Sequence, residues 1–163
     1  MSRYEEGLKL IEVTCGNNKD NMISLATIAM ELNADGKPRP YARDVDAYYE
    51  DGVFYIVTYA KTTKMQQVEQ NPEVAFTVCG GWISGNGIGE NLGWVLDPKN
   101  AELRTKLREV FAAWYDYANN ENDENCCILA IHITKCTVVK DHGADRYYMD
   151  FVNKVEMKEG SIL

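Results

Sequence analysis

Several kinds of segment are missing from this 163-residue chain, and each absence removes a class of function. No apolar run approaches the roughly 20 residues that a membrane-crossing helix needs. The opening MSRYEEGLKLIEV has none of the apolar core that a secretory signal carries. Histidine is scarce: His132 and His142 sit at no helical ligand spacing from another histidine or a cysteine, so no metal site is expected. The five cysteines show no paired metal-type spacing, only the adjacent Cys126-Cys127. That odd count points to buried free thiols and a cytoplasmic location. Positive charge is also short, with 17 Lys and Arg against 25 Asp and Glu and a net charge of −8. Nucleic-acid and anionic-membrane surfaces require the opposite balance. No Gly-x-Ser-x-Gly nucleophile turn occurs. With no repeat and no linker, one domain over residues 1–163 is expected.

What is present concentrates in residues 39–78, RPYARDVDAYYEDGVFYIVTYAKTTKMQQVEQNPEVAFTV. This stretch reads as strand, tight turn, strand, short loop, helical turns and a further strand. Asp51-Gly52 supplies the turn, because both residues tolerate the positive φ of a two-residue hairpin. Residues 53–58 are dense in β-branched and aromatic side chains, as a buried strand requires. Lys61, Thr62, Thr63 and Lys64 then set two ammonium groups and two hydroxyls at the start of a helical segment, 64–70. Amides, hydroxyls and cations converging there suit an anion, above all a phosphate. Arg43, on the preceding strand, is a candidate second arm. The competing reading of Lys61, Lys64 and Arg43 is a solvated surface, with Arg43 paired to Asp44 or Asp46.

Elsewhere the pattern is short strands with helices added. Tyr4, Leu8, Ile11 and Val13 predict a short amphipathic helix over about 2–13. Residues 22–30 read as the first strand, and Asn33-Ala34-Asp35-Gly36 as a turn. The glycines at 85, 87, 89 and 93 complete no Gly-x-Gly-x-x-Gly, so they predict a bent strand of close backbone approach and not a nucleotide loop. Trp82 and Trp94 flank that strand and are expected in the core or at an interface. Asp97-Pro98 opens a predicted long helix to about 119, with Leu103, Leu107, Val110, Phe111 and Trp114 on one face. Residues 126–139 form another strand, on which His132 faces away from Ile131 and Ile133, and 146–152 close or cover the sheet. The fold class is mainly β, a β-barrel with added helices.

Taken together, Asp35-Gly36-Lys37-Pro38, Arg43-x-Val45, Asp51-Gly52-x-Phe54-Tyr55, Thr58, Thr62-x-Lys64 and Asn71-Pro72-x-Val74 resemble the pyridoxamine 5'-phosphate oxidase-like FMN-binding split barrels. The resemblance covers residues 23–78 well and the rest in outline. It implies FMN as cofactor, held by Arg43, Asp44, Val45, Thr58, Thr62, Thr63 and Lys64, with Lys64 and Thr62 on the phosphate. Thr58 would lie near the ring, and the backbone at 44–46 along its pyrimidine edge. It also implies a homodimer with the flavin at the interface. The activity expected is oxidoreductase chemistry, with hydride passing from NAD(P)H to a small electron-poor acceptor. The alternatives are a non-catalytic flavin carrier or sensor, or a haem protein with His132 or His142 as axial ligand. Three departures stand out. Thr63 replaces an arginine, Tyr48 replaces a lysine, and the ending YYMDFVNKVEMKEGSIL lacks the Trp…Arg-Leu-Ala-Pro-like tail of the vitamin B6 enzymes. Vitamin B6 synthesis is therefore not expected.

Overall fold

The computed structural model of the chain describes residues 1–158; the last five residues of the C-terminal stretch lie outside the described residues. Helix α1 (Arg3–Cys15) opens with a reciprocal cap, in which the Glu5 N–H donates to the Ser2 hydroxyl and the Ser2 N–H to the Glu5 carboxylate. The strands are β1 (Asn21–Ile28), β2 (Pro40–Glu50), β3 (Val53–Tyr59), β4 (Glu73–Val78), β5 (Ile83–Trp94), β6 (Cys126–Lys140), β7 (Asp145–Asp150) and β8 (Val155–Glu156). Helix α2 (Thr63–Gln70) links β3 to β4, while α3 (Ala101–Val110) and α4 (Tyr115–Ala118) lie between β5 and β6. No helix among the described residues is long and apolar enough to cross a membrane.

All strand pairings are antiparallel, and β1, β2, β3, β6, β5 and β4 close into a ring. Strand β6 makes this possible by changing partner along its length. Its first half, from Cys126 to His132, pairs with β3, and its second, from Lys135 to Lys140, with β7. The alternation of β3 divides the wall cleanly. Phe54, Ile56 and Thr58 are buried toward the interior, while Tyr55, Val57 and Tyr59 pack outside. Each fully buried large side chain such as Phe54 contributes about 1.5–3 kcal/mol. The interior is closed near the start of β1 by α1, where Asn21 Nδ2 donates to the Cys15 carbonyl. Near the other end of β1 it is closed by α2, through Met65 and Val68.

The glycine-rich strand is bent, with register shifts at Asn86/Gly87 and Asn91/Trp94. At Gly89 a Cβ would meet Val68 Cγ1 at 2.7 Å, so the missing side chain is what lets α2 sit against the wall. Trp82 is not in the core: it is 58% exposed, with its ring edge-on to His142. Trp94 joins the second apolar cluster and donates to the Glu121 carbonyl at 2.7 Å.

The single helix predicted over 97–119 does not form. A 3-10 turn at Pro98–Asn100 leads into α3, which ends at Val110, and α4 is only a single turn. Nothing local forbids continuation. Tertiary anchors override it: Phe111 and Tyr115 are buried against the outer face of β3 and β6, Trp114 stacks on Phe111, and its indole reaches Asp20 at 2.8 Å.

Glu121 ties this cap together. Arg104 donates to both of its oxygens (2.8 and 2.6 Å), Arg108 at 3.2 Å and the Tyr115 hydroxyl at 2.9 Å. The Arg104 hydrogen bonds foremost, then Tyr115 and Arg108, hold its carboxyl at about 2. Because the folded value lies below the unfolded one, this stabilisation is fully present above about pH 4.5 and fades as pH falls toward 2. The shift corresponds to about 3 kcal/mol. Glu121→Gln is expected to lower stability by about 2–3 kcal/mol at pH 7 and to flatten the loss of stability between pH 4.5 and 2, read by urea unfolding across pH.

Candidate functional site

Near the α2 end of the barrel, the sequence-predicted cations come together. Strand β2 sets Arg43 opposite Leu25, so its side chain faces inward with the core residues and is half-buried. Its Nη1 donates to the Thr27 hydroxyl at 2.7 Å and to the Leu25 carbonyl at 3.3 Å, and its Nη2 to Gln67 Oε1 at 3.0 Å. The Thr27 hydroxyl in turn donates to Gln67 Oε1. The guanidinium lies 4.9 Å over the Tyr41 ring.

Lys64 occupies the second position of α2, also half-buried. Burial lowers its pKa first, and the Arg43 charge lowers it further; burial likewise lowers that of Arg43. Among the described residues neither cation has a carboxylate within ion-pair distance. Two neighbouring half-buried like charges are an unfavourable arrangement unless an anion joins them.

The other expected residues divide. Thr63 is exposed and lines a cavity of about 190 Å³ with Met30, Glu31, Arg39, Tyr41 and Gln67. Thr62 caps α2 without a side-chain bond to the helix, and its hydroxyl donates to the Tyr59 carbonyl at 2.8 Å. Thr58 is buried in the interior opposite Cys127, a thiol that burial pushes up to about 11. The Asp44 side chain points outward and accepts from Ser24, while Val45 packs on the core. Asp44 is turned away from the cations, and Val45 shares the inward face of Arg43 but brings no polar group to it. Their backbone is better placed. Strand β2 pairs with β3 only over Tyr48, Tyr49 and Glu50, so residues 40–47 diverge from β3 and leave a gap in the wall. Successive residues alternate their N–H and C=O sideways, so one of Asp44 and Val45 presents both groups to that gap.

Tyr48 is buried under α3 and takes no part in the site. His132 lies on the outer face beside Glu90, and His142 in the turn against Trp82. Three contributors escaped the sequence reading: Thr27, Tyr41 and Gln67. The last had a signal, since it follows Lys64 by three residues, one turn along the same helix face.

A larger cavity, about 430 Å³, lies elsewhere, between α1 and the β2–β3 turn, walled by Tyr4, Leu8, Tyr49 and Phe151. It carries Glu12 and Asp51 beside Lys9 and Lys154, so its charges balance locally. Uncompensated charge, not volume, locates the candidate site. Lys64→Met removes one of two repelling half-buried cations, so the ligand-free variant is expected to be more stable by about 0.5–2 kcal/mol, measured by denaturant unfolding in phosphate-free buffer.

No family model matches the chain, and no curated protein matches it. Solved structures do. The General Stress Protein 26 from Bacillus anthracis superposes with a TM-score of 0.58 at 18% identity, over 78% of this chain and 89% of that one. A pyridoxamine 5'-phosphate oxidase-related, FMN-binding protein from Nostoc punctiforme gives 0.56 at 12% identity, over 88% and 86%. A heme binding protein from Mycobacterium smegmatis gives 0.63 at 14% identity, over 94% of this chain and 60% of that one. The chain has the split-barrel fold of the pyridoxamine 5'-phosphate oxidase-like proteins.

Proposed function

We propose that the protein binds FMN and acts as an FMN-dependent oxidoreductase. The observation that carries the reading is the Arg43–Lys64 pair, two half-buried cations without a carboxylate among the described residues. A phosphate dianion there would neutralise both and accept charge-assisted hydrogen bonds. The α2 N-terminus, where the first-turn N–H groups have no helical partners, adds to the attraction. The gap between β2 and β3 offers backbone donors and acceptors to the ring's pyrimidine edge. FMN supplies hydride chemistry at N5 when bound. The protein's residues anchor the phosphate, orient the ring and exclude water, and none need act as a nucleophile. The donor is NAD(P)H and the acceptor a small electron-poor molecule.

The working form is a homodimer. The cavity of about 190 Å³ lined by Tyr41 and Gln67, the side chains that contact Arg43, is smaller than the roughly 300–1,000 Å³ of ordinary ligand pockets, so a second copy would complete the enclosure. Exposed Met30, Leu32 and Tyr41 border that cavity or extend the hairpin beyond it, and they give a partner apolar surface to cover. All five cysteines are free and four are buried, in keeping with a cytoplasmic location.

The test is a titration of purified protein with FMN and with riboflavin, followed by flavin absorbance and by NAD(P)H oxidation with added acceptors. Arg43→Met and Lys64→Met should each weaken FMN binding about tenfold or more, the loss of one charge-assisted contact, with riboflavin affinity unchanged. Wild-type protein that ignores FMN sinks the reading. A Soret band after haem addition would move the function to haem, and flavin binding without NAD(P)H oxidation would leave a carrier or sensor.

A further inference from the structure

Gln67 sits on α2 one turn after Lys64 and is 3% exposed, between the core anchors Met65 and Val68. Its Oε1 accepts from Arg43 Nη2 and from the Thr27 hydroxyl, which itself accepts from Arg43 Nη1. These two oxygens are in contact with one another, so together they occupy the end edge of the guanidinium, formed by Nη1 and Nη2. The second Nη1 hydrogen goes to the Leu25 carbonyl. An arginine has five N–H donors. The Nε–H and the remaining Nη2–H, which share the side edge, have no acceptor among the described residues. That edge is the fork that receives a phosphate or carboxylate through two parallel hydrogen bonds.

The chemical identity of residue 67 matters as much as its position. A guanidinium held partly out of water, as Arg43 is, is stabilised by a carboxylate partner. A glutamate here would have the same shape and reach as the glutamine, and it would neutralise the guanidinium. The carboxamide supplies the acceptor without the charge.

We propose that Gln67 is the positioning residue of this site: with Thr27 it grips the end edge of the Arg43 guanidinium, so that the side edge is offered, still charged, to an incoming phosphate beside Lys64. The assignment rests on the anion-site reading given above, but not on the anion being a flavin.

The experiment compares wild type, Gln67→Leu and Gln67→Glu by FMN titration, riboflavin titration and melting with and without inorganic phosphate. Gln67→Leu frees the guanidinium to turn, and Gln67→Glu holds it but cancels its charge. Both are expected to weaken FMN binding about tenfold with riboflavin affinity unchanged, and both to lose the phosphate-induced rise in melting temperature shown by wild type. In ligand-free form Gln67→Glu should melt above wild type, because it pairs a buried charge. If Gln67→Leu fails to fold, Gln67→Glu carries the test, since it keeps the hydrogen bonds. Wild type that responds to phosphate but not to FMN defeats the flavin reading and leaves this assignment standing. Undiminished FMN or phosphate response in a folded variant, a parallel loss of riboflavin binding, or a wild type that responds to neither ligand overturns it.

Discussion

Pairing of β3 with the first half of β6 is the constraint on which the rest of the molecule depends. It closes the ring, and it does so with strands that cannot all stay in register with both neighbours. Strand β2 therefore follows β3 for only three pairs before it diverges along β1. Helix α2 spans the chain between β3 and β4 beside this divergence, close enough to touch Thr27 on β1 and Arg43 on β2. The gap in the wall and the cations beside it are thus two results of one closure. Where the ladder is broken, unpaired polar backbone and half-buried charge can face a ligand.

This arrangement sets local stability against binding. Arg43 and Lys64 are held partly out of water, near each other, by packing that belongs to the barrel: Leu25 across the ladder from one, Met65 and Val68 beside the other. The apolar core is large enough to carry that penalty, since the interior cluster runs from α1 to α2 without interruption. The second cluster, under α3 and α4, has a different character. Its polar centre is Glu121, an acidic group fully matched by two arginines and a tyrosine. One charged group is satisfied within the fold, and the other pair is left open. That contrast separates a structural ion network from a receptive one.

Much of the barrel was legible in the sequence because its signals are local. Asp51-Gly52, the β-branched run after it and Asn71-Pro72 mark turns and strands by backbone chemistry alone. Arg43 and Lys64 stood out because cations are scarce in this chain. The helix break after Val110 was not legible, because it is decided by Asp20 and the outer barrel wall, both distant in sequence. Thr27 and Gln67 were missed for a related reason. Each looks like an ordinary strand or helix residue until closure brings them to the same guanidinium. The exposure of Trp82 follows from its turn, where a positive φ of 56° directs the ring off the sheet and onto His142.

The open side of β2 has a consequence for solubility. A strand with unpaired N–H and C=O groups is a template on which another chain can add, and proteins must guard such edges. Here the guard is written into the strand itself. Pro40 at its start has no N–H to offer, and Asp44 and Asp46 project outward along the diverging stretch. A strand arriving from another molecule would meet a missing donor and then negative charge. The same gap can therefore stay receptive to a small anion at its cationic end while refusing an added β-strand along its length.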